Sequence, residues 1–214
     1  MNGFAFVIVQ HAEKLDRGGD PGLTETGRRQ AASCAKALGQ SDATALYSSP
    51  LLRAVETAQP IADALGLNVH RDDALTERMN WTEDDGRTRE KFLADWDRST
   101  WDRDYRPGGG DSSKRAGQRF ESALRRYAIA NEVGPIICIS HGGVTVDLLR
   151  NLIGDDRVEE VAPNVISNGV PGGALTSLSL VSGAFHVDAI AALDHIAAAD
   201  RTGQGAQLPD RRSP

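Results

Sequence analysis

An uninterrupted apolar run that ends directly at polar residues is the feature that most constrains the fold of this chain. Residues 4–9, FAFVIV, are all apolar, and Gln10 and His11 follow with no turn residue between. A run of this length, rich in Val and Ile, is typical of a central β-strand that is buried on both faces. Glycines and a proline at 18–22 mark a loop, and a helical pattern begins at Thr24. The stretch therefore predicts the first strand and helix of an α/β sheet.

A second apolar run ends in the same way. The segment PIICIS, residues 135–140, is followed by His141 and two glycines, and glycine allows a backbone to approach a ligand closely. In open α/β sheets, ligands bind at the carboxyl ends of the strands. Taken alone, His11 is as readily a core or surface histidine as a site residue. Two strands that both end at a histidine favour a shared pocket in which His11 faces His141.

An arginine follows a third short strand, residues 45–47. The segment SSPLLRAVETA, residues 48–58, reads as the start of a helix that Ser49 caps, and Pro50 suits its first turn. Arg53 comes one turn into that helix. A guanidinium beside the positive end of a helix is well placed to bind an oxyanion, so we expect Arg53 to join the pocket.

Together these motifs resemble the histidine phosphatase superfamily, whose fold is phosphoglycerate-mutase-like. Its first motif, Arg-His-Gly-Glu or Arg-His-Ala-Glu, matches QHAE, with Gln10 in place of the family's arginine. The likeness runs from residue 4 to about residue 153, and more loosely to about residue 196. The matching segments, in family-like order and spacing, are QHAE at 10–13, LTETGRRQA at 23–31, SSPLLRAVETA at 48–58, LTER at 75–78 and SHGGV at 140–144.

The resemblance implies a mechanism and a set of site residues. His11 would be the nucleophile that forms a phosphohistidine, Glu77 the general acid, and His141 the third catalytic residue. The phosphate ligands would be Gln10, Arg53, His141 and the backbone N–H of Gly142. The resemblance implies that neither a metal ion nor a cofactor is needed. The residues agree, since no carboxylate cluster with metal-ligand spacing stands beside either histidine.

Glutamine at position 10 keeps an N–H donor but lacks the charge and the two-pronged geometry of arginine. A charge-assisted hydrogen bond contributes roughly 1.5–3 kcal/mol, and loss of one transition-state donor lowers a rate by about 10²–10³. We therefore expect a slower or more selective phosphatase, unless Lys14, Arg17 or Arg78 supplies the missing charge. The alternative for Lys14 and Arg17 is a solvated, charged loop.

The chain of 214 residues fits one domain, predicted over residues 1–197. Alternating strands and helices predict a three-layer α/β/α sandwich with a mostly parallel sheet, and a hairpin at 173–190 provides an antiparallel edge. Residues 80–110, rich in tryptophan and charge, are expected to form a partly helical inserted cap. That cap is either structural or a lid that selects the leaving group, and the two are compatible. We expect a loop at 155–171 and a disordered tail at 198–214.

Composition limits the partners. The net charge of −6 argues against a broad basic surface for nucleic acid or anionic lipid. No apolar stretch approaches the roughly 18 residues of a membrane span, and a strand that starts at Phe4 leaves no room for a removable leader. Two cysteines without metal-like spacing suggest reduced thiols. We therefore predict a cytoplasmic protein with a small phosphorylated substrate and no nucleic-acid or membrane partner. The edge hairpin offers a surface for a homodimer.

Three functions are compatible with these residues. The first and preferred one is a metal-independent phosphomonoesterase. The second is a noncatalytic relative that binds a phosphorylated ligand or partner. The third keeps the fold but acts on a phosphoric anhydride or transfers a phosphate within one molecule. Mutase activity is less favoured, since the chain is short and its cap lacks motifs that we connect with that reaction.

Overall fold

A single sheet organises the structure, a computed structural model that describes residues 4–82, 86–131 and 133–202. The strands are β1 Phe4–Gln10, β2 Ala45–Ser48, β3 Val69–Arg71, β4 Ile136–Ser140, β5 Leu175–Val181 and β6 Ala184–Ala192. The α-helices are α1 Glu25–Leu38, α2 Leu52–Leu65, α3 Arg89–Trp101, α4 Ser113–Ala130, α5 Gly142–Ile153, α6 Asp155–Val161 and α7 Val165–Asn168.

The sheet has the order β3-β2-β4-β1-β5-β6. The first four of these strands run parallel, and β5 and β6 are antiparallel to their neighbours. In the register of β1 and β4, Gln10 pairs with Ser140. Consequently the residues that follow, His11 and His141, emerge side by side at the carboxyl edge. The predicted mostly parallel sheet with an antiparallel edge is confirmed.

Side chains of β1 alternate between two buried layers. Phe6 and Ile8 pack in the cluster that includes α4 and α5, whereas Val9 packs against α1 and α2. The same alternation along β4 places Ile136 with the first cluster and Ile137 with the second. A parallel strand covered on both faces needs apolar residues at every position, which explains the uninterrupted runs in the sequence. The three-layer α/β/α prediction is confirmed.

Helix α1 has the predicted bounds and packs tightly on the segment after β1. The Oγ1 atom of Thr24 accepts a hydrogen bond from the backbone N–H of Gly27 at 2.9 Å and caps the helix. A Cβ atom on Gly27 would lie 2.1 Å from the carbonyl oxygen of Glu13, so this position requires glycine. The close approach fixes the backbone just after the first histidine.

Residues 155–171, predicted to be a loop, instead contain α6 and α7. Each helix is short, which hides its period in the sequence. Val158, Val165 and Ile166 are buried in the cluster beneath α4 and α5. Burial of these few apolar side chains stabilises helices that would be too short to persist alone.

The start of the predicted disordered tail is ordered. Residues 198–200 form a 3₁₀ turn, and the carboxylate of Asp200 accepts a hydrogen bond from Arg29 at 2.7 Å. The amide of Gln30 donates to the carbonyl oxygen of Asp200, also at 2.7 Å. These contacts with α1 correct the prediction for residues 198–202, while residues 203–214 lie outside the described residues.

The predicted inserted cap contains α3, whose Thr88 cap accepts from Lys91 N–H at 3.2 Å. Phe92, Leu93 and Trp96 of this helix line a cavity at the carboxyl edge of the sheet.

No helix in the described ranges is long and apolar enough to cross a membrane.

Candidate active site

The two strand-end histidines meet at the carboxyl edge of the sheet. Their ring centroids are 5.0 Å apart and the ring planes are inclined by 62°. The backbone N–H of His11 donates to the carbonyl oxygen of Ser140 at 2.9 Å, which ties the first histidine to the strand of the second. The structure therefore brings together His11 and His141, as the sequence led us to expect.

The contacts of His11 favour a single neutral tautomer of its ring. Its Nδ1 lies 2.8 Å from the carbonyl oxygen of Ala12, so Nδ1 carries the proton and donates it. The lone pair is therefore on Nε2, 3.3 Å from Nε of Arg53. Burial, and then the positive charge of Arg53, lower the pKa of His11 to about 3. A neutral imidazole attacks phosphorus through such a lone pair, which here accepts a hydrogen bond from the Nε–H of Arg53.

Arg53 is a buried cation with spare hydrogen-bonding capacity. Its exposed fraction is 3%, and Nη1 has no hydrogen-bond partner among the described residues. The nearest carboxylate oxygen to Nη1 belongs to the partly exposed Asp20, at 3.8 Å, and Nη2 makes a long 3.5 Å contact with Asn80. Because a buried charge is costly unless it is paired, Arg53 presents donors for an anion beside His11.

The N-terminal cap of α2 differs from the prediction, and the serine expected to form that cap contacts a site histidine. Helix α2 begins at Leu52, whose backbone N–H donates at 2.8 Å to the carboxylate of Asp20 from the preceding loop. Ser49, predicted to cap this helix, accepts only a long 3.4 Å hydrogen bond from the N–H of Leu51, and its Oγ lies 2.7 Å from Nε2 of His141. Because Asp20 binds the start of α2, the hydroxyl of Ser49 is available to contact His141.

His141 is fully buried at the start of α5. Its Nδ1 has no hydrogen-bond partner within residues 4–82, 86–131 and 133–202. Burial, followed by the charges of Arg53 and His11, lowers the pKa of His141 well below its usual value. The imidazole is therefore neutral at ordinary pH. When the Ser49 hydroxyl donates to Nε2, the ring proton stays on Nδ1 and is free to bind an oxyanion.

Glu77 lies at the cavity wall with both carboxylate oxygens fixed. Oε1 accepts from the backbone N–H of Arg78 at 2.7 Å, and Oε2 accepts from that of Gly143 at 2.9 Å. A Cβ atom on Gly143 would lie 2.7 Å from both Glu77 Oε1 and a ring carbon of Trp96, which makes glycine necessary here. Burial raises the pKa of Glu77, and a raised pKa suits a general acid near neutral pH.

Gln10 is 6% exposed, and its Oε1 has no hydrogen-bond partner in the described chain. Its Nε2 would lie 3.5 Å from a Cβ atom on Gly142. Gly142 begins α5, where the first backbone N–H groups have no intrahelical partner. The amide and the helix start both line the cavity, so the two predicted phosphate ligands share one wall with Arg53.

The cavity above these groups has a volume of about 140 Å³. Three aromatic side chains, Trp81, Phe92 and Trp96, line it together with apolar residues. Its cationic lining comprises Lys14, Arg17, Arg53, Arg78 and Arg89. In the described part of the chain, no group of three or more His, Cys, Asp or Glu side chains is placed to hold a metal ion.

Sequence reasoning missed two arrangements around the site. One is the contact between Ser49 and His141, for which the SSP segment was a signal that we assigned to helix capping. The other is the buried pair of Arg78 and Asp147, with Nη1 3.1 Å from Oδ1. Asp147 lies on α5, 69 residues along the chain, and nothing local in the sequence marks it as a partner.

The family profile of the histidine phosphatase superfamily (branch 1) matches residues 8–186. The chain belongs to this superfamily. Phosphoglycerate mutase-like protein 4 of Arabidopsis thaliana is 32% identical over 153 residues, which cover 64% of this chain and 66% of that protein. Glucosyl-3-phosphoglycerate phosphatase of Mycobacterium tuberculosis is 30% identical over 148 residues, 63% of this chain and 65% of the relative. The matches thus span less than two thirds of either relative's length.

Solved structures agree on the fold. The native structure of the mycobacterial glucosyl-3-phosphoglycerate phosphatase superposes with a TM-score of 0.72 at 24% identity, covering 89% of this chain and all of the other. Bacillus stearothermophilus YhfR superposes with a TM-score of 0.71 at 22% identity, covering 91% of this chain and all of the other. These likenesses establish a phosphoglycerate-mutase-like architecture for this member of the superfamily.

Proposed function

We propose that this histidine phosphatase superfamily member hydrolyses a small phosphomonoester through a phosphohistidine on His11, without a metal ion. The observation that carries the proposal is the meeting of His11 Nε2 with Arg53 Nε at 3.3 Å, beside the ring of His141. The attacking nitrogen thus lies beside a guanidinium whose Nη1 has no hydrogen-bond partner among the described residues. Glu77, which lines the same cavity as Arg53, supplies the acid.

The first half-reaction transfers the phosphoryl group to the enzyme. His11 Nε2 attacks phosphorus while the bond to the leaving oxygen breaks, and the proton of Glu77 goes to that oxygen. Arg53 binds two of the phosphoryl oxygens, and Nδ1–H of His141 donates to another. These donors stabilise charge in a buried site, where electrostatic interactions are stronger than in water.

The second half-reaction returns the enzyme to its starting state. The carboxylate of Glu77 takes a proton from a water molecule as its oxygen attacks phosphorus, and the bond between phosphorus and Nε2 of His11 breaks. Throughout, Nδ1–H of His11 stays hydrogen-bonded to the carbonyl oxygen of Ala12, which stabilises the positive charge on the phosphorylated ring. The products are inorganic phosphate and an enzyme ready to react again.

The leaving group occupies the remainder of the cavity. Relatives with related sequences bear the names phosphoserine phosphatase 1 and glucosyl-3-phosphoglycerate phosphatase, so phosphomonoester hydrolysis is the reaction that their names share. In this chain the aromatic wall of Trp81, Phe92 and Trp96 adjoins the phosphate-binding groups. We expect it to pack on the apolar surface of an organic leaving group.

Rapid acid-free quenching with a ³²P-labelled aryl phosphate tests the proposal. Acid-labile, base-stable label should appear on the wild-type protein and be absent from His11→Ala. His186→Ala is the matched control, because His186 is exposed on the edge strand β6, two strands from β1, and does not line the cavity. Label that persists in His11→Ala refutes the proposal. Phosphate binding without any trapped label supports the second function, a catalytically impaired member that binds a phosphorylated ligand.

A further inference from the structure

The neutral amide at position 10 leaves the site short of one positive charge relative to the superfamily pattern. Gln10 is buried beside Gly142, and Arg53 is the buried guanidinium next to His11. A phosphomonoester carries close to two negative charges at neutral pH, and the lowered pKa values of His11 and His141 keep both imidazoles neutral there. A second cation within reach of the phosphoryl group would balance that charge.

Arg78 lines the cavity and its Nε has no partner in the described residues, but its charge is already balanced by a buried carboxylate. Its Nη1 donates to Asp147 at 3.1 Å, and its Nη2 donates to Oγ1 of Thr100 at 2.6 Å. The guanidinium also stacks on the ring of Trp96, 4.0 Å from its centroid. Its charge is thus neutralised within the scaffold.

Two further cations at the cavity mouth are exposed to solvent. Arg17 is exposed, and the side chain of Arg89 is 55% exposed and lies 3.4 Å from the carboxylate of Asp16. Charges in water contribute little to binding, since solvent and salt screen them. Neither residue is buried as Gln10 is.

Lys14 is different, because its backbone is held rigidly. It forms a β-bridge with Leu23, and the adjoining N–H of Leu15 donates to the carbonyl oxygen of Gly22 at 3.0 Å. On its other side, Glu13 is packed against Gly27 at the start of α1. The side chain therefore rises from a fixed point three residues after the nucleophile.

The side chain of Lys14 lines the same cavity as Gln10 and Arg53. Its positive charge contributes to the lowered pKa of His11, and its own pKa is lowered by burial and then by Arg53, so both cations act on the environment of the imidazole. Nζ makes a long contact of 3.4 Å with the carbonyl oxygen of Leu15, which a phosphate oxygen would readily replace.

We propose that Lys14 is a phosphate-binding residue that replaces the arginine missing at position 10. The inference rests on the proposed phosphate site, but binding can test it independently of turnover. An ammonium on a flexible stem binds as a point charge, whereas a guanidinium binds through two fixed N–H groups. Lysine in place of arginine therefore keeps the positive charge of the site but constrains the orientation of the bound phosphate less.

Calorimetric titration with inorganic phosphate provides the test. Lys14→Met should raise the dissociation constant roughly tenfold, the loss expected for one charge-assisted hydrogen bond, and Lys14→Arg should restore most of the affinity. Lys36→Met is the matched control, because Lys36 is exposed in the last turn of α1, outside the cavity. Equal affinity of Lys14→Met and wild type overturns the proposal, as does a larger loss in Arg17→Met than in Lys14→Met.

A double-mutant cycle tests the replacement itself. Gln10→Arg should tighten phosphate binding, and in that background Lys14→Met should weaken binding less than threefold. A penalty that stays near tenfold means that Lys14 does not substitute for the missing arginine. Should phosphate binding depend on Lys14 while no phosphohistidine forms, the proposed reaction fails and this inference stands. If phosphohistidine forms but the affinity for phosphate does not depend on Lys14, the inference fails and the proposed reaction stands.

Discussion

The hydroxyl of Ser49 lies 2.7 Å from Nε2 of His141, the imidazole nitrogen that faces away from the unpartnered Nδ1. This contact links the loop before α2 to His141, the residue that precedes α5. If the Ser49 hydroxyl donates in this contact, the ring proton of His141 is on Nδ1. In the proposed reaction, Ser49 would then act on the phosphate through His141.

Ser49→Ala should lower kcat/KM for an aryl phosphate roughly twofold to tenfold, the effect of one uncharged hydrogen bond of about 0.5–1.5 kcal/mol. The ¹⁵N chemical shifts of His141 should change at the same time, because the ring loses the partner that fixes its tautomer. Ser49→Thr keeps the hydroxyl and should recover both properties. Unaltered ¹⁵N shifts in Ser49→Ala would show that the serine does not control the tautomer.

Glu77→Gln should slow hydrolysis about 10²–10⁴-fold for alkyl phosphates, the usual contribution of a general acid. Aryl phosphates should lose less, because their leaving oxygens need less protonation. Since burial raises the pKa of Glu77, the acid is active below that pKa and activity on alkyl phosphates falls as pH rises through it. The variant should lack this alkaline decline. A wild-type-like rate on alkyl phosphates would remove Glu77 from the mechanism.

His11 should remain neutral far below the ordinary histidine pKa of about 6.5. Burial and Arg53 lower its pKa to about 3, so NMR titration of His11 should show no protonation between pH 7 and pH 5. Added inorganic phosphate should raise the midpoint, because an anion beside the ring favours the imidazolium. A midpoint near 6.5 in the phosphate-free protein would contradict the buried geometry.

Single substitutions in the buried pair of Arg78 and Asp147 should each destabilise the fold strongly. Removing one partner of such a pair typically lowers the free energy of unfolding by about 3–5 kcal/mol, since it leaves the other charge buried and unpaired. Arg78→Met and Asp147→Leu should each show this loss in urea unfolding. The double variant should lose less than the sum of the two. Additive losses would show that the two side chains act separately.

Local sequence signals predicted the scaffold because each of its parts carries its own pattern. Helix α1 has the predicted bounds, with Thr24 as its cap and Gly39 after its last residue. The apolar runs of β1 and β4 also end where the strands end. Because these runs stop at histidines, their parallel register was enough to bring His11 and His141 together.

The parts that sequence reasoning missed depend on distant partners. Ser49 was predicted to cap α2, but Asp20 binds the start of that helix and leaves the serine for His141. The residues after 197 looked disordered by composition, yet Asp200 binds Arg29 on α1. Neither partner is within one turn of helix in the sequence, so no local pattern could reveal it.

The contact between Trp96 and Gly143 has a consequence for how new substrate preferences can arise. The indole of Trp96 lies against Gly143, whose backbone N–H donates to the carboxylate of Glu77. Replacing Trp96 would disturb this carboxylate, so we expect changes in leaving-group choice to arise at other cap residues that line the cavity, such as Phe92 and Leu93. Gly143 therefore separates the predicted catalytic residues from the cap residues that are free to vary.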